Sequence, residues 1–223
     1  MTVTLDRRVA AEALGSLILS GVVIGSGILA SQLADGNDAV ALLANTGATA
    51  AILFVLITAL APISGAHFNP AVTFVIALQR QIAPLHAAAY ILAQIAGCWA
   101  GAIVAHAMFA LPLLQVSTHD RSGLSQALSE GVATFALVLA ILLVSRARAS
   151  AVPAAVALTI AAGYWWTAST SFANPAITIA RAFSDTFAGV RPADALGFIL
   201  AQFIGALLAS AMASYLMPTR SND

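Results

Sequence analysis

The chain contains no lysine, a single cysteine and few charged residues of either sign. Only 8% of its 223 residues are charged and 61% are hydrophobic, whereas roughly a quarter of a soluble domain is charged. Nine basic residues balance nine acidic ones, so no net field is available to attract nucleic acid over a distance. This composition excludes a nucleic-acid partner and predicts a protein whose surface faces the lipid bilayer.

The scarcity of cysteine and of clustered polar residues also removes several kinds of site. Cys98 stands alone, so the chain cannot form an internal disulfide or a thiolate metal site. No Ser-His-Asp set, HExxH motif or pair of carboxylates can be assembled near the polar motifs of the sequence. We therefore expect no enzyme activity, no catalytic residues, no metal ligands and no cofactor.

The apolar residues fall into long and short stretches. A helix that crosses a bilayer needs roughly 20 apolar residues, and two further apolar segments, which begin at Asn69 and Asn174, run for about ten residues or some 15 Å of helix. The pattern predicts an all-α integral membrane protein with six transmembrane helices plus two re-entrant half-helices. The six long stretches cover residues 9–33, 38–60, 83–110, 124–146, 151–170 and 194–217.

The placement of arginine predicts the orientation. In a six-span topology three arginines fall on one side of the membrane and six on the other, and the side richer in arginine is usually cytoplasmic. We therefore predict a multi-pass protein of the cell inner (plasma) membrane with both termini in the cytoplasm. The three are Arg121, Arg181 and Arg191; the six are Arg7, Arg8, Arg80, Arg146, Arg148 and Arg220.

The two halves of the chain carry the same series of features. Glu12 and Glu130 lie early in the first and fourth long stretches, Asn69 and Asn174 open the short segments, and AAYILAQIAG is answered by LGFILAQFIG. An odd number of crossings separates the halves, which therefore form inverted repeats with a functional site near the midplane. The predicted channel domain covers residues 1–223, with the repeats at 1–115 and 122–223.

Each short segment begins with the triplet Asn-Pro-Ala. Asn is a favoured N-cap, and Pro at the first helical position sacrifices no hydrogen bond, so each triplet predicts a helix start in mid-membrane. The positive dipole ends of both helices then face the centre, beside the two Asn amides. Their positive potential repels cations, and the amides suit neutral solutes that form hydrogen bonds. The predicted pore centre is Asn69, Pro70, Ala71, Asn174, Pro175 and Ala176.

These motifs resemble those of the aquaporin and glycerol-facilitator family, from AEALG through SGAHFNPAVT and LAQIAG to FANPA and LAQFIGALL. The resemblance implies a homotetramer with one pore per subunit and passive flow of water or small uncharged solutes. It supports a role for Glu12 and Glu130 as acceptors for the backbone before each half-helix. It also implies two ladders of backbone carbonyl acceptors, from Gly65, Ala66 and His67 and from Ser171, Phe172 and Ala173.

The residue after the second triplet departs from the family pattern. Most members have Arg there, at the narrowest part of the pore, whereas this chain has Ile177. Offsets carried over from the family give a selectivity filter of Thr49, Ala162, Ser171 and Ile177, which should be wide and uncharged. The pattern is similar to a bacterial subgroup of aquaglyceroporins found with arsenic-resistance functions, which implies passage of glycerol-sized polyols, arsenous acid and related arsenicals.

Arg181 is a second candidate for the pore. On a helix it lies about 20° from the azimuth of Asn174 and about 6 Å beyond Ile177, so it can line the outer vestibule. The alternative is that Arg181 anchors the half-helix among lipid headgroups or pairs with Asp185 four residues later.

Other functions remain open at this point. An ordinary water channel or a glycerol facilitator fits the family, although Ile177 counts against the first. A secondary solute carrier also uses inverted repeats with broken helices. Coupling usually needs acidic groups at the midplane, and the broken segments here contain Asn, Ser, Thr and His but no Asp or Glu.

Overall fold

The computed structural model describes residues 3–217, and the regular elements in that range are all helical. Arg220, one of the arginines that predict the orientation, lies outside the described residues. The helices are α1 (Leu5–Leu33), α2 (Asp38–Ser64), α3 (Pro70–Leu78), α4 (Pro84–Met108), α5 (Leu124–Arg148), α6 (Val152–Trp166), α7 (Pro175–Ala182) and α8 (Pro192–Leu216).

Five helical segments in the described part of the chain are long and apolar enough to cross a membrane. Four of them are α1, α2, α4 and α8. The fifth runs from Leu124 to Trp166 and contains both α5 and α6, which a 3₁₀ turn at Ala149–Ala151 separates. The predicted stretch 151–170 is a turn too long, because Thr167 is extended (φ −115°, ψ 139°) and ends α6.

The two Asn-Pro-Ala triplets start the two short helices. Asn69 caps α3 by accepting the backbone N–H of Ala71 at 2.9 Å, and Asn174 caps α7 by accepting that of Ala176 at 3.0 Å. A side-chain cap of this kind stabilises a helix by about 1 kcal/mol. The two helices have only 9 and 8 residues, so each is roughly half as long as a hydrocarbon core is thick.

The short helices close the bundle. The long helices contact one another in the order α4, α1, α2, α6, α5 and α8, and both α3 and α7 pack against α4 and α8. The short helices also contact each other. Their capped N-termini therefore meet inside the bundle, between its two halves.

Glycines bring two pairs of long helices into backbone contact. Gly97 of α4 faces the carbonyl of Ala13 in α1, and Gly205 of α8 faces the carbonyl of Gly131 in α5. A Cβ atom at either glycine would collide with backbone, which cannot move aside. Both glycines follow the Gln of the repeated LAQ motif by three residues, so the same sequence feature sets the same close approach in each half.

Gly205→Ala tests this close approach. The added methyl group would overlap the carbonyl of Gly131, and overpacking of this kind typically costs about 1–3 kcal/mol. The matched control is Gly197→Ala on the same helix, where a Cβ meets nothing within 4 Å and Ala favours the helix by about 1 kcal/mol. Thermal unfolding in detergent, followed by circular dichroism, should show a lower midpoint for Gly205→Ala alone. Equal midpoints would contradict the packing argument.

Candidate functional site

A cavity of about 510 Å³ runs through the middle of the bundle. One end is lined by Thr49, Tyr164 and Arg181, and we call it the Arg181 end. The other end is lined by Gln81 and Ser150 among others. The side chains of both capping Asn residues line the cavity between the two ends. The other predicted pore-centre residues are buried and do not line it: Pro70, Ala71, Pro175 and Ala176.

The two Asn side chains cross-link the halves of the chain. Asn69 Nδ2 donates to the carbonyl of Ala173 at 2.7 Å, and Asn174 Nδ2 donates to the carbonyl of Phe68 at 2.8 Å. Each Asn thus caps its own helix with Oδ1 and holds the opposite loop with Nδ2. An amide nitrogen carries two N–H groups, so one N–H of each Asn is left for a solute in the cavity.

The loops before the two Asn residues have matching, unusual backbone. In both loops the residues four, three and one before Asn have positive φ, a region that non-glycine residues rarely adopt. Each non-glycine residue among them stores about 1–3 kcal/mol and persists only where its surroundings enforce it. The angles are 92°, 52° and 48° at Gly65, Ala66 and Phe68, and 61°, 52° and 48° at Thr170, Ser171 and Ala173.

A buried carboxylate holds the first loop. Glu12 is 0% exposed, and its oxygens accept the backbone N–H groups of His67 at 3.0 Å and Phe68 at 2.8 Å. Ser64 Oγ donates to it at 2.6 Å and Gln94 Nε2 at 2.8 Å. A buried charge is tolerated when its lone pairs are filled in this way.

A second carboxylate does the same in the second loop. Glu130, also 0% exposed, accepts the backbone N–H groups of Phe172 and Ala173, each at 2.8 Å. Ser169 Oγ and Gln202 Nε2 each donate to it at 2.6 Å. The four donors of Glu130 match the four donors of Glu12 in kind and in order along the chain.

The two carboxylates bond to N–H groups of the loops, so most carbonyls of the predicted acceptor ladders remain without a hydrogen-bond donor from the protein. Within residues 3–217, the carbonyls of Gly65, Ala66 and His67 accept no hydrogen bond, and all three residues line the cavity. The carbonyls of Ser171 and Phe172 likewise accept no hydrogen bond within that range, and both residues line the cavity. Ala173 is a correction, because Asn69 already occupies its carbonyl.

Three of the four predicted filter residues, Thr49, Ser171 and Ile177, line the cavity. The prediction for Ala162 is wrong, because its side chain is exposed and does not line the cavity. At about 100° per residue, Ala162 points away from the face of α6 that carries Ile160 and Tyr164.

Tyr164 takes the place that was predicted for Ala162. It is buried, it lines the cavity, and its hydroxyl lies 3.3 Å from Thr49 Oγ1. Sequence reasoning missed this residue, although its spacing of four from Ile160 places both on one helix face.

Arg181 is buried in the cavity wall, with 3% of its surface exposed. Its Nε donates to the carbonyl of Ala188, and its guanidinium carbon lies 3.2 Å from the centre of the Phe172 ring. The alternative pairing with Asp185 is wrong. Asp185 instead accepts the backbone N–H and the hydroxyl of Thr118 at 2.8 and 2.9 Å, and these bonds lower the pKa of Asp185.

The sequence is similar to known membrane channel proteins. The sequence profile of the major intrinsic protein (MIP) family matches residues 1–162. The chain is 53% identical over 213 residues to Aquaglyceroporin AqpS of Rhizobium meliloti (strain 1021), a match that covers 96% of this chain and 91% of that protein. The chain belongs to the major intrinsic protein family. The predicted resemblance is confirmed, and the chain is a member of an integral membrane channel family.

Other major intrinsic proteins match over nearly the whole chain. Human Aquaporin-1 is 29% identical over 233 residues, which covers 97% of this chain and 84% of that protein. The X-ray structure of the aquaglyceroporin from Plasmodium falciparum superimposes with a TM-score of 0.77 at 20% identity and covers 96% of this chain and 98% of that one. The second likeness shows that the chain shares the fold of that structure.

Glu130→Gln tests the support of the second loop. Gln offers one acceptor oxygen where the carboxylate offers two, so two of the four donors lose their partner, at a cost of about 1–3 kcal/mol each. We expect a lower unfolding midpoint and a lower yield of folded protein. Ser129→Ala is the control, because Ser129 Oγ accepts only the exposed backbone N–H of Ala168, which water can satisfy. A Glu130→Gln protein as stable as Ser129→Ala would refute the role of the carboxylate.

Proposed function

We propose that this chain is a passive channel, and not an enzyme, for small uncharged solutes: glycerol-sized polyols, arsenous acid and related arsenicals, and water. The observation that carries the proposal is the shared lining of one cavity by both Asn amides and by the free carbonyls of Gly65, Ala66 and His67. A solute with several hydroxyls can donate to the carbonyls and accept from the amides as it leaves water.

The choice of solute class rests on Ile177. Its side chain lines the cavity where most major intrinsic proteins have Arg, and its neighbours there include Thr49 and Ser171. Small or aliphatic groups leave more room than a guanidinium would, which suits solutes the size of glycerol. The name of the relative at 53% identity, an aquaglyceroporin, agrees with this class.

We also propose that the six long helices span the membrane and that α3 and α7 are re-entrant half-helices of inverted repeats at 1–115 and 122–223. The matched positive φ angles and carboxylates support the repeats. Arg8 Nε donates to the Tyr90 hydroxyl at 2.7 Å, and Arg146 Nη1 to the carbonyl of Met217 at 2.9 Å. These bonds join the start of α1 to α4 and the end of α5 to the end of α8, and they support the proposal that the arginine-rich ends lie on the cytoplasmic side of an inner membrane. The family resemblance supports a homotetramer.

A second candidate function is a water-selective channel. The observation that favours it is the guanidinium of Arg181, which lines the cavity and could restore the constriction that Ile177 removes. The two functions differ in whether glycerol passes.

Stopped-flow light scattering on proteoliposomes distinguishes the two functions. We expect fast, non-saturating entry of glycerol and of arsenous acid into vesicles that hold the purified protein, at rates well above those of protein-free vesicles. Water flow without entry of either solute would refute the proposed solute class and favour the second candidate. Saturable entry would indicate a carrier.

Ile177→Arg tests the basis for a wide filter. The larger charged side chain should lower glycerol permeability at least about tenfold, which corresponds to a barrier of about 1.4 kcal/mol, while water flow falls less. Ala162→Leu is the control, since that side chain lies outside the cavity and an apolar replacement there should leave glycerol flow unchanged. A larger effect at 162 than at 177 would show that Ala162, and not Ile177, faces the passage.

A further inference from the structure

Arg181 carries a buried charge without a carboxylate partner. Within residues 3–217, ion pairs form only between Arg191 and two aspartates, Asp120 and Asp194. The buried carboxylate of Glu130 already serves four donors of its own. Arg stays protonated in proteins, and a buried cation is costly unless something compensates it. The Ala188 carbonyl and the Phe172 ring offset part of that cost, and a group from outside the chain can supply the rest.

The free donors of Arg181 face the cavity. Its Nε is used by the carbonyl of Ala188, whereas its two Nη groups have no acceptor in the described part of the chain. Neither Nη atom is sealed off inside the protein. Because Arg181 lines the cavity, these N–H groups point at whatever occupies it.

The surroundings of the guanidinium add donors and positive charge. Tyr164 and Thr49 are each 3% exposed, line the same end of the cavity, and bring two hydroxyls to 3.3 Å from each other. No Asp or Glu among residues 3–217 lines the cavity. Arg121 lies 5.2 Å from the ring of Phe172, which Arg181 also contacts, so a second guanidinium stands behind the first.

Contacts with the protein hold both guanidinium groups in place. Arg121 Nε donates to the carbonyl of Gly189 at 2.9 Å, and its Nη1 donates to that of Ser169 at 3.3 Å. Arg121 does not line the cavity, so it contributes charge and position rather than contact.

We propose that the Arg181 end of the cavity is an anion-binding site. In it the Nη groups of Arg181, with the hydroxyls of Tyr164 and Thr49, bind a small oxyanion such as inorganic phosphate. A planar guanidinium matches two oxygens of such an anion at once. The bound anion fills the passage and obstructs neutral solutes. The obstruction rests on the proposed channel function, whereas the binding of the anion does not.

The test combines binding and flow. Isothermal titration calorimetry of the detergent-purified protein with inorganic phosphate measures binding. Stopped-flow entry of glycerol into proteoliposomes, with phosphate or chloride outside at equal ionic strength and osmolarity, measures obstruction. We expect saturable binding of phosphate and a matching, saturable fall in glycerol permeability, with a much weaker effect of chloride because it cannot bridge the two Nη groups.

Three variants locate the site. Arg181→Met keeps most of the side-chain volume and should raise the phosphate concentration for half-inhibition at least about tenfold, since it removes charge-assisted hydrogen bonds. Tyr164→Phe removes one neutral hydroxyl and should raise the phosphate concentration for half-inhibition about threefold. Arg191→Met makes the same change at a half-exposed arginine outside the cavity and should leave it unchanged.

The outcomes separate the two proposals. Glycerol flow without phosphate binding or inhibition would overturn the anion site and leave the channel proposal standing. Phosphate binding that Arg181→Met abolishes, in a protein that passes no solute, would support the site and overturn the channel proposal. If Arg181→Met does not fold, the other two variants decide. An equal phosphate concentration for half-inhibition in the wild type and in Tyr164→Phe would overturn the site, and so would a phosphate affinity that changes in Arg191→Met.

Discussion

The hydrogen bonds that Glu12 and Glu130 accept from the two loops are the interaction on which the rest of the structure depends. They satisfy four backbone N–H groups outside any helix or sheet, two of which belong to the positive-φ residues Phe68 and Ala173, and so they hold both loops in a strained conformation. The strained loops in turn leave carbonyls free along the cavity and bring Asn69 and Asn174 to the centre. The hydrogen bonds to one buried carboxylate in each half thus fix the caps, the cross-links and the lining together.

Helix packing determines whether that contact can form. Gly97 and Gly205 let α4 and α8 approach α1 and α5 at backbone distance. The Gln one turn earlier on the same helix then reaches the carboxylate, at 2.8 Å for Gln94 and 2.6 Å for Gln202. The same Gln residues also donate to Thr hydroxyls in the half-helices at 2.9 Å. A short repeated motif therefore connects the outer bundle to both half-helices.

Local sequence signals predicted the parts of the structure that local physics controls. The caps at Asn69 and Asn174 follow from the preferences of Asn and Pro at helix starts, and the donors of Glu12 and Glu130 lie where the repeat predicted them. The errors concern the rotation of α6 and contacts distant in sequence. Ala162 and Tyr164 differ by two residues, and only the packing of α6 decides which faces the cavity. Arg181 seemed able to pair with Asp185, but Thr118, 67 residues from Asp185, takes that carboxylate.

The reciprocal bonds between the Asn residues and the opposite loops have a consequence for biogenesis. Asn69 depends on a carbonyl 104 residues later in the chain, and Asn174 on one 106 residues earlier. Neither half can therefore complete the centre of the cavity alone. A nascent chain that has inserted only its first half, or a product truncated there, therefore lacks the hydrogen-bonded centre in which the two Asn residues hold the opposite loops.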